Sequence, residues 1–286
     1  MQSSNLKGKV VLVTGAASGL GEAMSLALVS RGANVLALDI NADRVADKLA
    51  RSASGRCIAM KFDVRSFDHC DEAVRRAREE LGGLHGVVNC AGIGMPHLRA
   101  DYHTRPLRFW EADPQLWQDV VDINMRGPFL LARAAAPHMI EQKWGRIVNV
   151  TTSFNTMIRG ANMPYGQTKA GLEAASASWS EDLSGSGVTV NVLVPGGAAD
   201  TGLIPQDSPY DRSKLIPASV MAAPICWLMS NESEGVTGKR FIGQKWNPEA
   251  AWQDAMQIAG SGIAWPELAA AAAAAGQPIP TGGFKS

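Results

Sequence analysis

The chain has 286 residues, of which 46% are apolar, and its 27 acidic side chains balance its 27 lysines and arginines. That neutrality removes the electrostatic argument for nucleic acid or an anionic membrane surface as a partner. Cys57, Cys70, Cys90 and Cys226 are scattered, with neither a CxxC pair nor metal-ligand spacing, so free thiols in a reducing compartment are expected and no metal site.

Residues 1–9 are polar and lack the apolar core of a secretion signal, and no later run is long enough to span a bilayer, so a cytoplasmic protein is expected. Residues 10–13 read as a first strand, followed by a glycine-bearing turn over 14–21. A helix is expected over about 20–31, stopped by Gly32. Further strands follow at 34–38, 57–62, 84–89, 145–150 and 188–194. Each is short and apolar on both faces, as a strand covered on two sides requires. Helical patterns fill the gaps, the longest over 114–143 and 165–184. Residues 94–112 break the pattern as a basic loop carrying His97, Arg99, His103, Arg105 and Arg108. After Lys245 come Trp246, Trp252 and Trp265, then an alanine run over 269–275 and a Pro- and Gly-rich end over 277–286. Three tryptophans argue for a packed extension, because disordered segments are poor in aromatics.

The turn Thr14-Gly15-Ala16-Ala17-Ser18-Gly19-Leu20-Gly21 sets glycines between a strand and a helix. Glycine there lets backbone N–H groups approach a pyrophosphate, and the helix N-terminus adds partial positive charge. Such a cluster also has a plainer explanation, since turns use glycine for steric reasons. Context favours the dinucleotide reading: Asp39, followed by Ile40, ends the next strand, where an acid accepts the ribose hydroxyls. The expected fold is α/β, a three-layer doubly wound Rossmann fold with a central parallel β-sheet in a single domain. Residues 1–245 are expected to form the dinucleotide-binding and catalytic unit, with 246–286 packed on it or on a subunit interface. Asp39 also selects NAD over NADP. A 2′-phosphate ~4 Å from its carboxylate costs about 4 kcal/mol at an effective dielectric of about 20, and the turn holds no Lys or Arg to offset it. Arg44 is near in sequence, but Asp43 neighbours it and its helix is expected to carry it toward solvent.

Tyr165-Gly166-Gln167-Thr168-Lys169 sets a phenol and an ammonium one helical turn apart on one face, a pairing that also arises by chance. A free phenol, with a pKa of about 10, is a poor base at neutral pH. Lowering it by about two or three units takes about 3–4 kcal/mol, which an ammonium and a positive nicotinamide can supply. Thr152, thirteen residues earlier, offers a hydroxyl to a carbonyl oxygen as charge develops. Asn124 lies within a long helical pattern, where an amide ordinarily faces solvent; the functional alternative is an anchor for a water linked to Lys169.

Together, TGAASGLG, Asp63-Val64, Asn89-Cys90-Ala91-Gly92, Asn124, the Thr152/Tyr165/Lys169 set and Pro195-Gly196 resemble the short-chain dehydrogenase/reductase family over about residues 6–243. The resemblance implies an NAD(P)-dependent oxidoreductase with Tyr165 as general acid/base. Lys169 would lower its pKa and hold the nicotinamide ribose, and Asn124 would complete a proton relay. It further implies that Asp63 and Val64 meet the adenine, that Asn89, Ala91 and Gly92 lie near the cofactor, and that the segment from Pro195 and Gly196 to Thr201 covers the nicotinamide. There are departures. Thr152 stands where serine is usual, its methyl restricting the rotamer, so Ser153 stays open as the catalytic hydroxyl. Cys90 replaces an asparagine, with an inert buried thiol expected, and Thr201 follows Pro195 by six residues where five is usual. The family's C-terminal strand is expected to give way to residues 241–246 and the tail.

The expected reaction is hydride transfer between NAD(H) and a small secondary alcohol or ketone. Arg159 and the basic loop suggest a polar or anionic substrate; the plainer reading is that these cations bind Asp101, Glu111 and Asp113 or face water. The resemblance implies a homo-oligomer, a dimer or tetramer. Two other classes stay open. An epimerase or dehydratase using NAD transiently would carry a larger substrate domain, and none is visible. A non-catalytic NAD-binding protein would be expected to lack the Tyr165/Lys169 pair.

Overall fold

The computed structural model describes residues 5–45, 55–205 and 207–267. The strands are β1 (Val10–Thr14), β2 (Asn34–Asp39), β3 (Cys57–Lys61), β4 (Gly86–Asn89), β5 (Gly145–Val150), β6 (Val188–Val194), β7 (Lys239–Ile242) and β8 (Gly260–Gly262). They form one sheet in the order β3-β2-β1-β4-β5-β6-β7-β8, parallel except for β8. Every residue of β1, β5 and β6 is buried, as their largely apolar composition requires, and polar exceptions such as Arg146, Asn149 and Asn191 are buried with them.

Helices α1 (Gly19–Ser30) and α8 (Ala222–Leu228) cover one face, with Met24, Leu28, Ile225 and Trp227 in its core. Helices α2 (Phe67–Leu81) and α5 (Gly127–Glu141) cover the other, with Cys70, Val74, Leu131 and Ala135 inside. The result is a single three-layer, doubly wound domain. Local chemistry sets the helix ends: Ser66 accepts from the His69 N–H at 3.2 Å, and Gly82 closes α2 at φ +85°. Asp113 caps α4 (Pro114–Val121) by accepting from Gln115 and Leu116.

The helical pattern over 114–143 is interrupted by a π-helical turn, Asp122–Arg126. The extra residue in that turn rotates Asn124 inward. Its amide is 0% exposed, not solvent-facing. The basic loop contains the short helix α3 (Met95–Leu98), and much of its charge is neutralised locally. His97 meets Asp119 at 3.2 Å, Arg99 meets Glu111 at 3.4 Å and Arg105 meets Asp101 at 3.1 Å. Arg44 is exposed, as its helix was expected to leave it.

The C-terminal strand does not give way: β7 pairs parallel with β6, Leu193 opposite Phe241. Its pattern is masked in the sequence by Arg240, a charge pointing inward, which the fold accommodates with a carboxylate 2.7 Å away. The chain then forms α9 (Trp252–Ala259) and β8, which runs antiparallel to β7. Trp246 and Trp252 lie 5.0 and 5.8 Å from the ring of the buried Trp227, and Trp265 lies 6.4 Å from Phe154. The alanine run, the 277–286 end and the first four residues lie outside the described residues. Among the described residues no helix is long and apolar enough to cross a membrane, and no cluster of side chains suits a metal ion.

Candidate active site

The strand order reverses between β1 and β4, so their C-terminal ends open a crevice where ligands of such sheets bind. On one side the glycine turn leaves no room for side chains. A Cβ on Gly15 would lie 2.9 Å from the Ala91 Cα, and one on Gly21 would lie 2.1 Å from the Gly15 carbonyl oxygen. A Cβ on Gly19, at φ +55°, would lie 3.0 Å from the Thr201 side chain. Thr14 locks this arrangement, its hydroxyl accepting from the Cys90 and Ala91 N–H groups at 3.0 Å each.

Ser18, Leu20, Ile40 and Val64 help line the resulting cleft of about 420 Å³, with Asp39 and Asp63 beside them. Asp39 is held at the end of β2, one carboxylate oxygen accepting from Ala17 N–H at 3.0 Å and the other from Asn41 N–H at 2.8 Å. Arg65 reaches this cleft, but Asp63 holds its guanidinium at 2.7–3.1 Å. The hydrogen bonds from Arg65 keep the Asp63 carboxyl below its ordinary pKa. A cradle too tight for any Cβ, the N-terminus of α1 and a fixed acid at the next strand end fit a dinucleotide.

The second cavity, about 500 Å³, adjoins the first through Leu20, Cys90, Gly92, Thr201 and Leu203. Its floor carries Thr152, Tyr165 and Lys169. Thr152 lowers the pKa of the Tyr165 phenol beside it. Ser153 is engaged elsewhere, capping α6 (Phe154–Ile158) with its Oγ 2.8 Å from the Thr156 Oγ1. Of the two hydroxyls the sequence left open, Ser153 is committed to the helix start, while Thr152 acts on the phenol. Tyr165 and Lys169 stand one turn apart at the start of α7 (Tyr165–Asp182). Lys169 donates to the Val150 carbonyl at 2.9 Å, and burial lowers its pKa to about 8. Burial holds the Tyr165 phenol above its ordinary value, outweighing the lowering by Thr152. Burial likewise pushes the Cys90 thiol up to about 12, which leaves it inert.

Other expected site residues stand behind the cavities. Asn124 clamps Ile93, accepting from its N–H at 2.9 Å and donating to its carbonyl at 2.8 Å. Asn89 donates to Asn149 at 2.8 Å, and Gly196 packs against Ile242 and Gln244; like Asn124, neither lines either cavity. Ala91, Gly92, Pro195 and Thr201 do line them.

The outer wall of this cavity comes from the three stretches the sequence offers for it, the loop after Gly92, residues 154–164 and residues 198–214, but the pairing of their side chains was unread there. Tyr102, His103 and Tyr210 form an aromatic cluster with ring separations of 3.8 and 4.9 Å. Burial pushes Tyr102 up to about 12 and holds His103 below its ordinary value. Arg159 lines the same cavity with no carboxylate within ion-pair distance among the described residues, and no Asp or Glu is part of that wall. Also unread was a buried pair, Arg240 with Glu173. Its one signal was Glu173 following Tyr165 and Lys169 at four-residue intervals along a helix face.

A family model described as short chain dehydrogenase matches residues 9–209. A 3-oxoacyl-[acyl-carrier-protein] reductase from Thermotoga maritima is 31% identical over 245 residues, covering 82% of this chain and 95% of its own length. An uncharacterized oxidoreductase from Staphylococcus aureus is 29% identical over 218 residues, covering 76% of this chain and 90% of its own. The crystal structure of a putative short-chain alcohol dehydrogenase from Sinorhizobium meliloti matches with a TM-score of 0.71 at 26% identity, covering 83% of this chain and 95% of that one.

Proposed function

The chain belongs to the short-chain dehydrogenase family, and from that premise we propose that it transfers a hydride between NAD(H) and a secondary alcohol or ketone, with Tyr165 as general acid/base. The observation that carries this reading is Thr152, Tyr165 and Lys169 gathered in one cavity that adjoins the glycine cradle. When bound, the nicotinamide gives or takes the hydride. Gly15, Ser18, Gly19, Leu20 and Gly21 receive the pyrophosphate. Asp39 takes the ribose hydroxyls, and Ile40, Asp63 and Val64 receive the adenine. Ala91, Gly92, Pro195 and Thr201 enclose the nicotinamide end, with Asn89 and Gly196 supporting them from behind.

Thr152 holds the substrate oxygen as charge develops there, and Tyr165 passes the proton. A phenol held above its ordinary pKa keeps its proton at neutral pH, the form that donates to a carbonyl oxygen. The Lys169 ammonium favours the phenolate once that proton has left, and Asn124 steadies the strand end beside it.

NAD is favoured over NADP because Asp39 faces the cleft while the nearby cation, Arg65, is already paired with Asp63. On the substrate side, the acid-free wall and Arg159 favour an anionic hydroxy or oxo acid. Four free cysteines fit the cytoplasm, and exposed Met125, Phe129 and Ile140 fit a dimer or tetramer through the helices.

The test is NADH formation from a panel of secondary alcohols by the wild type and Tyr165→Phe, with NAD binding followed by thermal shift. The variant is expected to bind NAD normally and to lose about 10²–10⁴-fold in turnover. Undiminished turnover in the variant, or stronger stabilisation by NADP than by NAD, would refute the assignment. An isomerase using NAD transiently shows no net NADH, and a scaffold shows no turnover.

A further inference from the structure

We propose that the buried Arg240–Glu173 pair is a positioning device for the Thr152 hydroxyl, completed by the segment that follows β8. It rests on the assignment of Thr152 and Tyr165 to the chemistry. Arg240 comes from β7 and Glu173 from α7, and their side chains are 3% and 0% exposed. Neither lines either cavity, so neither meets substrate or cofactor directly.

The pair grips the segment that carries the candidate hydroxyl. One guanidinium nitrogen of Arg240 donates to the Glu173 carboxylate at 2.7 Å and to the Thr151 hydroxyl at 3.2 Å. The other donates to the Thr152 carbonyl at 2.7 Å. Thr151 in turn donates to Glu173 at 2.7 Å, and the guanidinium lies 4.3 Å from the Phe154 ring centroid. The backbone of Thr152 is therefore held directly, and Thr151 before it and Phe154 two residues after it meet the same guanidinium. Tyr165, Lys169 and Glu173 share one face of α7, so the helix that aims the phenol also anchors the device that aims its partner.

The C-terminal segment closes the remaining side. The Ala264 N–H donates to the second Glu173 oxygen at 3.4 Å, and Trp265 covers Phe154. Ala264 adopts φ +58°, a conformation non-glycine residues seldom take, and the surrounding contacts hold it there.

Why a charge pair occupies this place follows from what it does better than apolar packing. Replacing a buried ion pair with well-packed apolar side chains is often neutral or stabilising, so stability alone gives little reason for it. A planar guanidinium, by contrast, fixes several acceptors at set angles. Reacting groups need that fixity, because small displacements from productive geometry cost large factors in rate.

The experiment compares wild type with the double variant Arg240→Met/Glu173→Leu, with Arg240→Lys, which keeps the charge but not the fork, and with the milder Thr151→Val. Tyr165→Phe runs alongside, using the best secondary alcohol from the wild-type panel. Melting temperature, NAD affinity, KM, kcat and the pH profile are measured. For the double variant the expected result is an unchanged melting temperature and NAD affinity, KM within about threefold, and kcat lower by about 10–100-fold. The pH limb belonging to Tyr165 moves upward as the hold of Thr152 on the phenol loosens. Arg240→Lys stays folded yet slow, and Thr151→Val loses a few-fold in kcat. A folded double variant, or a folded Thr151→Val if the double fails to fold, with wild-type kcat and pH profile overturns the proposal. A parallel loss of stability, NAD affinity and kcat makes the pair purely structural and overturns it equally. Full activity in Tyr165→Phe instead refutes the reading beneath it.

Discussion

Replacing Lys169 with methionine removes an ammonium that the fold holds almost out of water. The lysine is 4% exposed, its Nζ bonded to the Val150 carbonyl, and burial lowers its pKa from 10.5 to about 8. Between those values the unfolded chain binds more protons than the folded one, so stability rises with pH across that window. Below pH about 8 both states carry the proton and the burial penalty is fully present; above about 10.5 neither does and it is gone. The gap, at about 1.4 kcal/mol per pH unit, amounts to about 3 kcal/mol. The methionine variant keeps the stem and lacks the titration. Thermal melts of both proteins, without nucleotide, from about pH 6 to 11 measure the difference. The wild type is expected to gain about 3 kcal/mol on the variant between pH 7 and 10.5, or several degrees for a chain of this size. The Cys90 thiol, held at about 12, stays protonated in both folded proteins across that window and adds nothing to the difference. Parallel stability curves would refute the claim that this ammonium is held desolvated. Turnover is expected to be lost in the variant at every pH, so the residue that destabilises the neutral-pH fold is also one the reaction requires.

Three further outcomes are expected. Asp39→Asn keeps an acceptor for the Ala17 or Asn41 N–H while removing the charge, and it should raise the NADP-to-NAD ratio of kcat/KM by about 10²–10³-fold. Gly21→Ala places a methyl 2.1 Å from the Gly15 carbonyl, and loss of NAD-dependent thermal stabilisation is expected. Arg159→Met should cut any preference for a hydroxy acid over its methyl ester by about tenfold, while leaving kcat/KM for the ester unchanged; equal effects on both would remove the anion from the substrate reading.

The layered fold was legible because strands such as β1 and β6 are covered on both sides and so read as short runs rich in valine and leucine. The dinucleotide cradle was legible because its constraints are local: glycines at a turn and an acid at a strand end. What escaped notice depends on distant residues. Arg240 disguised β7 as a loop because its partner lies 67 positions away, and Asn124 changed faces because a π turn leaves no mark in a periodicity of 3.6. The choice between Thr152 and Ser153 needed the start of α6, where Ser153 is already committed as a cap. The substrate wall brings Tyr102 and His103 against Tyr210, loop residues that no pattern could pair.

The short strand β8 has a consequence beyond the pocket. A row of parallel strands leaves its last member with unpaired peptide groups along one side, a template on which another chain can grow. Here that side of β7 is taken by Gly260–Gly262, three residues with almost no apolar surface to offer. Pro266 follows four residues later, its ring where a Gly262 side chain would be. Proline has no N–H to give and so discourages further pairing. The sheet thus ends on this flank in a three-residue strand of its own chain, which leaves another copy far less edge to pair with than β7 alone would.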